Sequence, residues 1–73
     1  MKLRNKLIYE TVQFYFENQK SVHITLKSGD WLNGVIVSLE SDKMIFLEEK
    51  YGEMLVWFER IKDDGIKPRE EKK

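Results

Sequence analysis

Cysteine is absent from this chain, histidine and proline occur once each, and neither sign of charge predominates. Without cysteine there is no disulfide and no thiolate metal ligand, and a single histidine argues against a zinc site. The 13 basic and 13 acidic residues give a formal net charge of zero. We therefore do not expect a protein that binds nucleic acid through overall positive charge alone.

Long apolar runs, internal repeats and linkers are also missing. No segment approaches the roughly 18 consecutive apolar residues that a membrane span requires, and the N-terminus has no signal-peptide pattern. The sequence predicts one small cytoplasmic domain over residues 1–66, followed by a disordered charged tail at 67–73. Because 73 residues allow only a small core, we expect self-association to reinforce it.

An amphipathic helix is predicted at about residues 4–19, where apolar side chains recur every three or four positions. The opposite face carries both acidic and basic residues, which favours packing on the rest of the domain over binding to a membrane surface. The residues of the apolar stripe are Leu3, Leu7, Ile8, Thr11, Val12, Tyr15 and Phe16.

From residue 22 onward the apolar period changes to two, which predicts strands. Gly34 interrupts the second predicted strand, as expected where a strand bends or another backbone comes close. The third strand is apolar on both faces, and we expect the helix to cover its outer face. The predicted strands are 22–27, 31–39, 44–47, 54–58 and a short final strand or turn between Ile61 and Ile66.

One helix and about five strands in so short a chain predict a mostly β fold. The strands are expected to form a strongly bent antiparallel sheet that closes into a small barrel over residues 22–66. The helix precedes this barrel and packs on it.

Catalysis is not indicated by the polar residues. Glu48 and Glu49 are strand neighbours that point to opposite faces, and Asp63-Asp64-Gly65 is typical of a turn. His23 is expected to face solvent, because the sequence holds no nucleophile elbow or phosphate-binding loop that would engage it. We therefore expect no enzymatic activity, metal or cofactor.

The strand pattern resembles that of a known family. The stretch Val22–Gly29, followed by Leu32-Asn33-Gly34 and Ile36–Leu39, is similar to the first Sm motif of Sm, archaeal Sm-like and bacterial Hfq proteins. The helix that leads directly into the first strand matches the same fold. Ile61 and Pro68-Arg69 resemble the end of the Hfq domain, so the resemblance covers roughly residues 5–69.

This resemblance implies a five-stranded, SH3-like antiparallel barrel that assembles into homo-oligomeric rings of six or seven subunits. The fourth strand of one copy would pair with the fifth strand of the next. The resemblance also implies binding of single-stranded RNA, often U-rich or A-rich, and we take this as the first functional expectation.

The family's usual uridine pocket is only partly matched. Asp42 and Met44 stand where Sm proteins carry a base-stacking side chain and a uracil-reading asparagine. Trp57-Phe58 replaces the Arg-Gly pair of the second Sm motif, and Trp57 alone is retained from the aromatic-Lys-His run of Hfq. Aromatic rings can still stack on unpaired bases, and cations can hold phosphate. The candidate RNA-binding residues are Asp42, Lys43, Met44, Trp57, Phe58 and Arg60.

A second class of function is left open by the same residues. The neutral charge balance and the replaced uridine positions favour a protein-interaction or structural module on the same barrel, similar in layout to bacterial Rho inhibitors. The apolar fourth strand would then serve assembly or a partner strand. Exposure of Trp31, which follows a turn on the face opposite Leu32, would be a sharper sign of a ligand surface.

Overall fold

A computed structural model describes residues 3–69 as an N-terminal helix followed by five strands. This confirms the prediction of a mostly β fold in which one helix precedes a five-stranded antiparallel sheet. The elements are α1 (Leu3–Glu17), β1 (Val22–Leu26), β2 (Trp31–Leu39), β3 (Lys43–Glu48), β4 (Gly52–Trp57), a 3-10 turn (Phe58–Arg60) and β5 (Ile61–Pro68).

The five strands form one sheet in the order β4-β3-β2-β1-β5, and every neighbouring pair is antiparallel. Two irregularities in the register, between Ile24 and Leu26 opposite β5 and between Ile36 and Ser38 opposite β3, are of the kind that bend a sheet. Within residues 3–69, β4 and β5 form the two edges and do not pair with each other. The closed barrel that we predicted is therefore an open sheet in the single chain.

Strands β2 and β3 approach each other closely at Gly34, which pairs with Glu48. A Cβ atom at position 34 would overlap the carbonyl oxygen of Leu47 and lie 2.8 Å from its carbonyl carbon. Close backbone approach therefore requires glycine here, as the strand pattern predicted.

Alternation along the strands places the core on one face of the sheet. Val22 and Ile24 of β1 and Met44 and Phe46 of β3 are fully buried, together with Phe58 of the 3-10 turn. Each such side chain stabilises the fold by about 1.5–3 kcal/mol relative to an exposed one. The other buried hydrophobic residues are Val12, Leu32, Ile36, Val56 and Ile61.

The helix packs mainly on β2 and on the 3-10 turn. Val12 is fully buried at this contact, and Ile8, Tyr15 and Phe16 pack against the core. The expectation that the helix covers the outer face of β3 is wrong, because Val12 joins the same cluster as the inward residues of β3. Leu47, on the outer face of β3, is 44% exposed.

Arg4 ties the start of the helix to the last strand. Its guanidinium donates to the carbonyl oxygen of Phe58 at 2.9 Å and to that of Ile61, and it pairs with the Asp63 carboxylate at 3.0 Å. Leu3 and Leu7, which belong to the predicted apolar stripe, are instead exposed. The first turn of the helix is therefore held by a polar contact.

The end of β5 lies beyond the predicted end of the domain. The strand ends at Pro68, and the backbone N–H of Arg69 donates to the carbonyl oxygen of Ser21 at 3.2 Å. The predicted disordered tail at 67–73 needs correction at its start, because its first two residues belong to β5. Arg69 follows the strand, and the remaining residues of the predicted tail, 70–73, lie outside the described residues.

Glu48 organises the turn between β3 and β4. Its carboxylate is buried and accepts hydrogen bonds from the backbone N–H groups of Asn33 at 3.1 Å, Lys50 at 2.6 Å and Tyr51 at 3.2 Å. The bond from Asn33, followed by that from Lys50, lowers the pKa of Glu48 below its ordinary value of 4.5. The buried charge is tolerated because three amide donors point at it.

We expect Glu48→Gln to destabilise the domain, because an amide NH₂ faces backbone groups that already donate. The stabilisation from ionised Glu48 is fully present above the unfolded-state pKa near 4.5 and is lost as the pH falls through the lower folded-state pKa. Urea unfolding of wild type and variant, measured from about pH 7 down to about pH 3, should therefore converge at low pH. Glu53→Gln, at an exposed position of β4, is the control. A difference that stays constant with pH would contradict the assignment.

Candidate nucleic-acid interface

Two of the six predicted RNA-binding residues belong to the core. Met44 and Phe58 are both fully buried, so neither side chain is available to a ligand at the surface. Met44 takes an inward position of β3, and Phe58 opens the 3-10 turn, where its N–H donates to the carbonyl oxygen of Asp42 at 3.0 Å. We therefore leave both residues out of the candidate interface.

Asp42, Lys43 and Trp57 are brought together where β3 begins and β4 ends. Lys43 and Trp57 are direct cross-strand partners, and the Lys43 ammonium lies 4.8 Å from the centre of a Trp57 ring. Such a cation–π contact is weak at an exposed site. Trp57 is 38% exposed, and Lys43 already covers part of its ring.

The charge of Lys43 is balanced within the protein. Its ammonium lies 3.2 Å from a carboxylate oxygen of Asp42 and 3.6 Å from one of Glu40. The hydrogen bond to Asp42 is the main reason that the pKa of Lys43 is raised. A phosphate group would compete with two carboxylates for this one cation, so the Lys43–Trp57 cluster is a poor site for a nucleic-acid backbone.

Arg60 belongs to a different surface, at the far end of the 3-10 turn. It lines an open groove beside the turn between β1 and β2, together with Lys27, Ser28 and Glu59. Its carbonyl oxygen accepts the N–H of Lys27 at 2.8 Å. The six predicted residues are thus divided among the core, the Lys43–Trp57 cluster and the β1–β2 turn.

A second set of polar and aromatic side chains lies on the outer face of β5, β1 and β2. His23 is the direct partner of Lys67 on one side and of Asn33 on the other, so these three residues form a row across the sheet. Trp31, two residues before Asn33 on β2, shares their face. We call these four side chains, together with Arg69 beyond the end of β5, the Trp31 face.

Trp31 is the exposed platform of this face. It is 55% exposed, and exposure of a tryptophan at this position is a sign of a ligand surface. The His23 ring stacks on it, with ring centroids 5.7 Å apart and an angle of 30° between the planes. His23 Nδ1 also lies 2.7 Å from Asn33 Oδ1, so the imidazole is held between the indole and the amide.

A groove lined in part by Lys67 and Arg69 lies beside His23. It has a volume of about 440 Å³, and none of the residues among 3–69 that line it is acidic. Arg69, one of its walls, also pairs with Glu49, whereas the ion pairs within residues 3–69 do not include Lys67. The residues that line the groove are His23, Asn33, Lys67, Pro68 and Arg69.

Part of this second surface could be read from the sequence. Alternation in the first two strands places His23 and Asn33 opposite the buried residues, on the solvent side. The missing information was the length and register of β5. Because β5 continues to Pro68, Lys67 lies directly beside His23, whereas the sequence pattern assigned Lys67 to a disordered tail.

Comparison with known proteins assigns no family to the chain: neither a protein-family model nor a curated protein matches it. Within residues 3–69, helical structure falls short of the length and apolar character needed to cross a bilayer. In the same part of the chain, no three metal-ligating side chains cluster in a way that could hold an ion. The function must therefore be inferred from the geometry of the site and from the strand pattern.

Removing the Asp42 charge should lower the pKa of Lys43 toward its ordinary value of 10.5, because the hydrogen bond to Asp42 is the main cause that raises it. NMR titration of the Lys43 side chain in Asp42→Asn measures this shift. Asp30→Asn is the control, because the Asp30 carboxylate accepts from Ser28 and not from a lysine. An unchanged pKa in Asp42→Asn would show that Lys43 is not neutralised in this way.

Proposed function

We propose that this protein is a non-enzymatic, Sm-like module that binds single-stranded RNA on its Trp31 face. The observation that carries the proposal is the stack of His23 on an exposed Trp31, beside Asn33 and Lys67. Aromatic platforms in cationic grooves are a general means of binding unpaired bases, and each stacked base is worth about 1–3 kcal/mol.

The side chains of the Trp31 face have distinct roles in this proposal. Trp31 stacks on a base, which is possible with any base because each has a π face. Asn33 uses Oδ1 to accept from His23, so its NH₂ group is left to donate to a base edge. Lys67 holds a phosphate group, and Arg69 can do so in competition with the Glu49 carboxylate that pairs with it. A protein with no net charge can bind a polyanion in this way, through a local set of cations.

We further propose that the chains assemble into a ring, as the resemblance to Sm-like proteins implies. Two features support assembly. The edge strands β4 and β5 lack a partner on one side within the described chain, and such edges favour pairing with another strand. The outer face beside the β4 edge is also apolar, because Leu47, Leu55 and Trp57 are exposed there. Pairing of β4 with β5 of the next copy would cover both edges in a closed ring.

Trp31→Ala should weaken the binding of short U-rich or A-rich oligoribonucleotides by about five- to one-hundredfold, the equivalent of one lost stack. Fluorescence anisotropy at low salt measures the affinity. Trp31→Phe retains an aromatic ring and should retain most of the binding. Thermal unfolding should change little in either variant, because Trp31 is largely exposed.

Trp57→Ala provides the comparison, since it removes the partly exposed tryptophan of the Lys43–Trp57 cluster. We expect it to bind RNA nearly as well as wild type. Loss of affinity in Trp57→Ala, with none in Trp31→Ala, would move the site to that cluster. Failure of the wild-type protein to bind any oligoribonucleotide would eliminate the RNA-binding proposal.

Leu55→Lys should disrupt assembly without unfolding the chain, because Leu55 is exposed on an edge strand and a lysine at such a position opposes strand pairing. Native mass spectrometry gives the subunit number, expected to be six or seven for wild type and lower for the variant. Tyr51→Lys is the control, since it replaces an exposed aromatic residue of the β3–β4 turn. A wild-type protein that stays monomeric at micromolar concentration would contradict the ring.

A protein-interaction module is the second candidate function. The exposed apolar residues Leu47 and Leu55 favour it, together with the neutralised charge of Lys43. A partner could add a strand to the β4 edge and cover these residues. Pull-down from a cell extract with wild type and Leu55→Lys would distinguish the two functions. Recovery of one protein by wild type alone, with no enrichment of RNA, would favour the interaction module.

A further inference from the structure

His23, the single histidine of the chain, lies in the middle of the Trp31 face and stacks on the Trp31 indole. His23 Nδ1 faces Asn33 Oδ1 at 2.7 Å. An amide oxygen accepts hydrogen bonds and does not donate them, so Nδ1 carries its hydrogen whether the ring is neutral or charged. The other ring nitrogen, Nε2, is therefore the atom that gains or loses a proton and the one left for a ligand.

The groups around His23 come from both neighbouring strands. From β5, Lys67 is its direct cross-strand partner, and Arg69 lines the same groove. From β2, Asn33 and Trp31 contact it and carry no charge. The acidic residue that meets this set is Glu49, and its carboxylate pairs with Arg69. Within residues 3–69, the groups that these contacts place around His23 are therefore neutral or positive, apart from the Glu49 carboxylate on Arg69.

Protonation changes what His23 offers to a ligand. A neutral imidazole presents Nε2 as an acceptor, whereas an imidazolium presents it as a donor with a positive charge. The indole beneath the ring is compatible with the charged form, because cations are attracted to the face of tryptophan. Lys67 is the cross-strand partner of His23, so an anion bound between them would meet two positive charges.

We propose that His23 is a phosphate-binding residue of the Trp31 face and that it binds in its protonated form. This inference rests on the RNA-binding proposal and assigns the histidine a direct role in it. Protonation of His23 raises its affinity for phosphate, and bound phosphate raises its affinity for the proton by the same factor. RNA affinity therefore falls as the pH rises, because His23 binds phosphate only when it carries the extra proton.

The test measures anisotropy of a fluorescent U-rich oligoribonucleotide at about pH 5.5 and about pH 8, on either side of the usual titration range of histidine. Each measurement is repeated over a series of salt concentrations. Wild type should bind roughly five- to tenfold more tightly at the lower pH. The slope of log K against log salt should also be steeper there by about 0.7, the value for one added phosphate contact on a single strand.

Two variants separate the titration of His23 from the general charge of the face. His23→Gln stays polar but cannot titrate, so it should show the high-pH affinity and the high-pH salt slope at both pH values. Lys67→Gln should bind more weakly at both pH values but keep the pH dependence. Native mass spectrometry at both pH values controls for a change in assembly. If His23→Gln does not fold, the wild-type pH and salt dependences still decide the question.

The outcomes distinguish this inference from the function on which it rests. Equal wild-type affinity at the two pH values, or a pH dependence that persists in folded His23→Gln, would overturn the role of His23 and leave RNA binding intact. No binding at either pH would remove the RNA-binding proposal and this inference with it.

Discussion

Strand β1 is paired on both sides, to β2 and to β5, and the alternation of its side chains determines both the core and the candidate interface. Val22 and Ile24 point into the core and are fully buried, while His23 between them lies on the outer face. A register slip of one residue would exchange the two sets. The apolar packing that fixes the register therefore also places His23 between Lys67 and Asn33.

Asn33 connects this outer face to the turn between β3 and β4. Its backbone N–H donates to the buried Glu48 carboxylate at 3.1 Å, and its carbonyl oxygen accepts the N–H of Glu49 at 2.9 Å. Its side chain meets His23 on the opposite side of the sheet. Glu49 in turn pairs with Arg69. The turn, the end of β5 and the Trp31 face are therefore linked by contacts that run from Glu48 through Asn33 to His23.

The sequence predicted the architecture well because periodicity is a local property. Apolar residues at every third or fourth position identified the helix, and a period of two identified the strands. Gly34 within the second strand indicated the close backbone approach found there. The outward direction of His23 and a shared face for Trp31 and Asn33 also followed from alternation, although contacts with Trp31 and Asn33 leave His23 only partly exposed. These inferences need no knowledge of which strands are neighbours in space.

The site was harder to predict because it depends on contacts between distant segments. Phe58 was assigned to the fourth strand, but a 3-10 turn begins there and sends its ring into the core. The neutralisation of Lys43 depends on side-chain geometry in the loop before β3. Lys67 sits in a charged segment with only one apolar neighbour, so only its pairing with β1 reveals that it belongs to a strand.

The proposed binding of an anionic ligand depends on the local distribution of charge, because the chain as a whole is neutral. Interactions between exposed charges are largely screened beyond about 8 Å at physiological salt, so a phosphate group responds to its neighbours and not to the total charge. At Lys43, two carboxylates outweigh the single cation. In the groove beside His23, the described lining residues include two cations, Lys67 and Arg69, and no acid, and Glu49 outside the groove pairs with Arg69.

Because the Trp31 face is small, the proposed assembly would also affect the affinity for RNA. One stacked base contributes about 1–3 kcal/mol, and a few exposed cations add little at physiological salt. A single copy would therefore bind RNA weakly. In the proposed ring, several identical faces would engage one strand, and the second and later contacts would form at a high effective concentration. Self-association would then supply affinity as well as stability, so both proposed properties of the chain depend on the same unpaired edges of its sheet.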